Sequence, residues 1–175
     1  ILFSDEIEFT IKPRKGKRHV MFLIHKILEH QPKSKGTDIG AAINFLRKVR
    51  QRRCVAFLFS DFIDENYHQA MREAARQHDL VCISMSDKRE RELPSSGILE
   101  VVDAENGNTI SIDCNDKKMR QNFELQTQQK DKDLLTFCRE IDADLLTLCT
   151  SDDYLHKIIS FFQIFFIKLN CFFNS

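Results

Sequence analysis

The chain has no net charge, no Cys-x-x-Cys pair, no internal repeat and no low-complexity tract. Lysine plus arginine equals aspartate plus glutamate at 26 each, so no global field draws the protein to nucleic acid or to an anionic membrane. Neither class of partner is expected from composition. The six cysteines are dispersed, with no cysteine or histidine at metal-ligand spacing, and a reducing cytoplasm fits this usage best. Cys54, Cys82, Cys138 and Cys149 sit in apolar runs, where a free thiol behaves as a small buried hydrophobe. The six histidines show no i,i+4 pair, so none is marked as a ligand or a catalytic base. No signal-peptide pattern opens the chain.

What is present is a globular composition. At 175 residues and 42% hydrophobic content the chain reads as one domain with a real core. Ile7, Phe9 and Ile11 alternate with Glu8, Thr10 and Lys12, a half-exposed strand that pairs in a hairpin with Ile1 to Phe3 through Ser4-Asp5-Glu6. A helix from about Lys17 to Glu29 carries Val20, Leu23, Ile24, Ile27 and Leu28 on one stripe. After a loop with Pro32 and Gly36, Thr37 opens a second helix to about Arg50, with Ile39, Ala42, Ile43 and Leu46 inward. Cys54 to Phe59 is continuously apolar and reads as a strand buried on both faces. A third helix from about Glu65 to Gln77 leads to a strand from Leu80 to Met85, which ends in Asp87.

Beyond Pro94 two apolar alternations, 98–102 and 109–112, flank Asn106-Gly107-Asn108, a strong hairpin signal because Asn and Gly tolerate positive φ. A long charged helix from about Lys117 to Ile141 follows, with a narrow apolar stripe that marks it as peripheral, then a strand from Asp144 to Cys149 and a last helix from about Asp153. Strand-helix alternation makes a mainly parallel α/β sheet the expected class. The tail after residue 157 is apolar around the whole helix, yet Gln163, Lys168 and Asn170 interrupt it short of the roughly 20 residues a membrane span needs. It reads as a core helix with an exposed, aggregation-prone extension.

Two basic clusters stand out, Lys12 to His19 and Arg47 to Arg53. The second ends a helix, where cations complement the dipole. Neither contains an aromatic residue for base stacking, which argues against nucleic acid.

The candidate site is built on Thr37 and Asp61. An acid just past the carboxyl end of a buried strand lies where open α/β sheets bind ligands, and Thr37 adds a second oxygen donor on the same rim, with Ser60 and Asp87 nearby. The alternative is that Thr37 or Asp38 caps one helix and Asp61 the next. Asp38 and Asp64 are close enough in sequence to contribute oxygens, but a structural part is their default reading.

Gly36-Thr37-Asp38 before an Ala-rich helix, then an apolar strand ending Ser60-Asp61-Phe62, resembles the later part of a von Willebrand factor A domain. Phe3-Ser4-Asp5, Pro13-Arg14-Lys15-Gly16, Ser60-Asp61-Phe62, Asp87-Lys88-Arg89-Glu90 with Glu92-Leu93-Pro94, and Asp103-Ala104-Glu105-Asn106-Gly107 resemble, in that order, the bacterial family known as domain of unknown function fifty-eight. The resemblance covers Ile1 to about residue 157, taken as a partial von Willebrand A-like domain, and leaves 158–175 as an atypical apolar tail. It implies a Rossmann-type, mainly parallel sheet flanked by helices, with an extra β-hairpin.

It also implies a magnesium ion held by an Asp-x-Ser-x-Ser loop, a threonine matched by Thr37 and an aspartate matched by Asp61. No Asp-x-Ser-x-Ser occurs in this chain. The opening Ile1-Leu2-Phe3 resembles the end of the family's second strand, so the expectation is an amino-terminally truncated domain without its first central strand. Two protein oxygens compete poorly with water for Mg²⁺, so weak or no binding is expected.

The function implied is a non-enzymatic interaction module whose partner is a MoxR-type AAA+ ATPase. The alternative from the residues themselves is a Mg²⁺-dependent phosphoryl-transfer enzyme with Asp61 as nucleophile. No Asp-x-Asp follows a strand to support it.

Overall fold

The computed structural model describes residues 1–34, 36–64, 66–95, 97–102 and 109–173. In chain order the elements are β1 (Leu2–Phe3), β2 (Ile7–Phe9), α1 (Lys17–Glu29), α2 (Ile39–Val49), β3 (Val55–Ser60), α3 (His68–Gln77) and β4 (Asp79–Ser86). They continue as α4 (Lys88–Arg91), β5 (Ile98–Val102), β6 (Thr109–Asp113), α5 (Lys117–Glu140), β7 (Asp144–Cys149) and α6 (Tyr154–Phe173). The chain divides into two compact units. The first holds Ile1–Cys54 and Phe62–His78, and the second holds Val55–Asp61, Asp79–Val101 and the chain from Thr109 onward.

In the first unit β1 and β2 pair antiparallel, with Leu2 opposite Phe9 and Phe3 opposite Ile7. The alternation places side chains differently from expectation. Phe9 is exposed, whereas the Glu8 side chain is 1% exposed because its carboxylate is drawn inward by His30 and by the Lys33 N–H. A pair of specific polar partners outweighs the hydrophobic alternation of so short a strand. Helices α2 and α3 pack against each other. Ile39, Ala42 and Ile43 on one, with Ala70, Met71 and Ala74 on the other, are buried. Arg47 of α2 pairs with Glu73 of α3, and the Gln77 amide donates to the Arg50 carbonyl at 3.2 Å.

Helix α1 has the bounds its periodicity predicts, but the expected inward stripe is outward. Val20, Ile24, Ile27 and Leu28 are exposed, and no residue of the helix is fully buried. His19, Leu23 and Lys26 are the half-buried positions, and His30 just beyond the helix is held to Glu8. That polar tether sets the face the helix turns inward.

The second unit carries a three-stranded parallel sheet in the order β3-β4-β7. Phe57 lies opposite Val81, and Ile83 opposite Leu146. Central β4 matches a strand covered on both faces, with Leu80, Val81, Cys82 and Ile83 all buried. β3, expected to be buried on both faces, instead lies at the edge of the sheet. Its Ala56 and Leu58 are buried, while Phe57 and Phe59 are 43% and 53% exposed.

Helix α6 covers the Val81, Ile83 and Leu146 face, inserting Phe165 with Ile158, Phe161 and Phe162 around it. The Phe57 ring meets Phe162 and Phe165 at centroid distances of 5.7 and 6.2 Å. Ile164, Phe166 and Ile167 on the far side of α6 are exposed, as expected of a helix apolar all round with one face packed. No helix among the described residues is long and apolar enough to cross a membrane.

Helix α5 packs against β7, and its Cys138 is fully buried, as is Cys82 of β4. Only Leu134, Phe137 and Cys138 of α5 are buried, and Gln128 and Gln129 are exposed, so most of this helix is peripheral. Strands β5 and β6 form a separate two-stranded sheet. The Asn106-Gly107-Asn108 turn and the Asp103 to Gly107 motif lie outside the described residues.

Candidate functional site

The sequence-marked oxygens fall in both units. In the first, the loop into α2 is organised by carboxylates. Asp38 is the N-cap of α2, its Oδ1 accepting from the Ala41 N–H at 2.6 Å, and its own N–H donates to the Ser4 carbonyl at 2.9 Å. Asp64 accepts from the Ile39 N–H at 2.9 Å and from the Asn66 N–H at 3.0 Å. Two of the first-turn donors of α2 are thus satisfied by acids, and the helix dipole favours both. Gly40 makes this possible, because a Cβ there would stand 3.2 Å from Asp38 Oδ1 and 3.4 Å from the Asn66 carbonyl. Thr37, one residue before the cap, is exposed, and its hydroxyl has no hydrogen-bond partner among the described residues.

In the second unit, Ser60, Asp61 and Asp87 share the carboxyl-end rim of the sheet, since β3 and β4 are adjacent and parallel. Asp61 is exposed, with the Ser60 hydroxyl 3.5 Å from its Oδ1. Asp87 is fully engaged. Its Oδ1 accepts from the Arg89 N–H at 2.8 Å and its Oδ2 from the Thr150 hydroxyl at 3.0 Å, while the Glu90 carboxylate accepts from the Asp87 N–H in a capping box. The Arg89 N–H, then the Thr150 hydroxyl, hold its carboxyl below the usual range.

Thr150 follows β7 and also donates its N–H to the Ser86 carbonyl, so the ends of β4 and β7 are tied together at the rim. Beside them Arg91 donates to the Ser86 hydroxyl at 2.6 Å and pairs with Asp131 at 2.9 Å. Asp152 is held below its ordinary pKa by Lys157 and by the Cys149 N–H. Cys149, half-exposed at the same rim, has its thiol pKa lowered by the Ser151 hydroxyl and N–H. Thr150 and Arg91 carried no signal in sequence, because Thr150 meets Asp87 across 63 residues and Arg91 meets Asp131 across 40.

Residues just after Asp61 turn sharply. Phe62 has a φ of 58°, a left-handed conformation uncommon for a bulky residue, and its ring packs edge-on against Tyr67 at 5.7 Å. Elsewhere in the first unit the fold brings Cys54 Sγ within 3.6 Å of His78 Nδ1, a contact that spacing gave no sign of.

As a cage for Mg²⁺ the rim donors of the second unit do not fit. Asp87 gives one oxygen to the Arg89 N–H of its cap and the other to the Thr150 hydroxyl, so among the described residues of this rim no uncommitted carboxylate stands beside Asp61. No group of three or more His, Cys, Asp or Glu side chains suited to a metal ion occurs among the described residues.

The family described as "Protein of unknown function DUF58" matches residues 1–133. Uncharacterized proteins of Mycobacterium bovis and Mycobacterium tuberculosis are each 29% identical over 154 residues, covering 86% of this chain and 48% of theirs. An uncharacterized protein of Mycobacterium avium is 31% identical over 125 residues, covering 71% of this chain and 73% of its own. The chain thus spans about half the length of the first curated relatives it matches. No solved structure matches it.

Proposed function

The chain belongs to the DUF58 family, and from that premise we propose that it is a non-enzymatic protein-interaction module of von Willebrand A-like type, working with a MoxR-type AAA+ ATPase in the cytoplasm. The observation that carries the reading is Asp61, an exposed acid just past the carboxyl end of a parallel strand. Thr37, exposed just before α2 in the first unit, is a second candidate contact residue, considered on its own unit. Asp87, a neighbouring acid on the rim of the second unit, is spent on capping and on joining β4 to β7, which suits a fixed recognition surface better than an acid-base pair.

Two measurements test the proposal. Surface plasmon resonance against the cognate MoxR-type ATPase is expected to show binding that Asp61→Ala weakens, and phosphatase assay of the chain with Mg²⁺ is expected to show no turnover above buffer. Turnover abolished by Asp61→Ala would replace the module with a phosphoryl-transfer enzyme. ATPase binding indifferent to Asp61→Ala would move the contact elsewhere.

A further inference from the structure

The first unit contains a cleft of about 630 Å³ between the segment leaving β2 and the start of α1. Its cationic wall is Lys12, Arg14, Lys15 and Arg18, and its apolar floor is Phe9, Ile11 and Phe22. Among the described residues no carboxylate lines it. None of those four cations pairs with an acid among the described residues, whereas Arg47, Arg91, Lys157 and Lys168 each do. In a chain of zero net charge, four unneutralised cations around one apolar floor are a local concentration that solvation of a surface does not require.

The fold also supplies what the sequence cluster lacked. Phe9 and Phe22, outside the basic run, come to its floor, and His19 stacks on Phe22 with centroids 6.3 Å apart and planes inclined by 22°. Both phenylalanines are exposed, at 38% and 43%. Such rings are stabilised by an apolar side chain placed over them while the surrounding guanidinium and ammonium groups take carboxylates.

We propose that this cleft binds a short acidic peptide segment of a partner protein, with carboxylates on Arg14 and Arg18 and an aromatic or aliphatic side chain on Phe22. A peptide suits the site better than nucleic acid for two reasons. The imidazole of His19 lies offset beside the Phe22 ring with centroids 6.3 Å apart, which crowds one side of the platform a base would stack on. A long polyanion would also run past the 26 acidic side chains of a neutral protein, whereas a short segment meets only the local positive field. The proposal uses neither Thr37 nor Asp61, so it stands or falls apart from the function proposed above.

The test is fluorescence anisotropy of the whole chain with a short fluorescein-labelled peptide of repeated Glu-Phe-Glu-Leu, alongside a poly-glutamate peptide and an oligo-dT strand. The expected result is saturable binding of the mixed peptide that weakens by about tenfold as salt is raised from roughly 50 to roughly 300 mM. Arg14→Glu with Arg18→Glu should weaken it by at least about tenfold, and Phe22→Ala should bring the mixed peptide down to the level of poly-glutamate. These side chains are at the surface, and unchanged circular dichroism will confirm that the variants fold. Lys12→Glu with Lys15→Glu gives a second, independent pair. Absence of mixed-peptide binding, insensitivity to both charge reversals, or tighter binding of oligo-dT would overturn the proposal.

Discussion

Replacing Asp38 by alanine tests whether the acids beside Thr37 are structural. The Asp38 carboxylate accepts from Ala41 N–H, and Asp64 separately accepts from Ile39 N–H, so each satisfies a different orphan donor of α2. Loss of an N-cap side chain costs about 1 kcal/mol, and part-burial of the Ala41 N–H keeps water from replacing it fully. Asp38→Ala should therefore lower stability by about 1 kcal/mol, a fall in Tm of roughly 2–4 °C for a chain of this size. Asp38→Asn keeps the acceptor and loses only the charge, so its cost should be a few tenths of a kcal/mol, about 0.3 from the dipole. The double change Asp38→Ala with Asp64→Ala should cost about 2 kcal/mol, since the two caps serve different donors.

Urea unfolding is the assay, and the chain provides a convenient probe. It has no tryptophan and two tyrosines, of which Tyr67 is buried in the first unit and Tyr154 is exposed in the second. Tyrosine emission therefore follows the unit that holds α2, while circular dichroism follows both. An alanine variant as stable as the parent, or an asparagine variant as damaged as the alanine one, would refute the capping account. It would return Asp38 to the set of candidate ligands.

Two further outcomes are expected. The Ser4 hydroxyl, His30 and the Lys33 N–H hold the Glu8 pKa at about 2, so its stabilising effect is complete above the ordinary carboxyl range. That effect is lost as pH falls from about 4.5 to about 2, and Glu8→Gln should remove this part of the acid-unfolding curve of the Tyr67 signal. Thiol labelling should find Cys149 fast, because Ser151 lowers its pKa, and Cys82 and Cys138 slow until unfolding, because both are fully buried; Cys149→Ser should remove one thiol from the fast phase.

Periodicity and punctuation in the sequence alone determined most of the element order. The Lys17–Glu29 helix and the Asp144–Cys149 strand fall on the residues their patterns mark, and the parallel sheet follows from strand-helix alternation. The DUF58 family was legible in ordered motifs that no single one of them would carry. These are properties of neighbours along the chain, where side-chain spacing and backbone preference act directly.

What only the tertiary structure decided depends on strand order and distant partners. A continuously apolar hexamer reads the same at the edge or the centre of a sheet, so nothing local distinguished β3, with Phe57 and Phe59 exposed, from buried β4. The outward stripe of α1 and the buried Glu8 were set by a pairing 22 residues apart. Asp87 was visible as an acid after a strand, but Thr150, which occupies its second oxygen, arrives only when β7 joins β4. In the basic cluster that runs into α1, Phe22 lies one helical turn from Arg18 and was within reach of spacing, since contacts within a helix follow its period. Phe9 joined the floor of that cluster only when β2 and the start of α1 came together, because contacts between elements are chosen by packing and polar pairing.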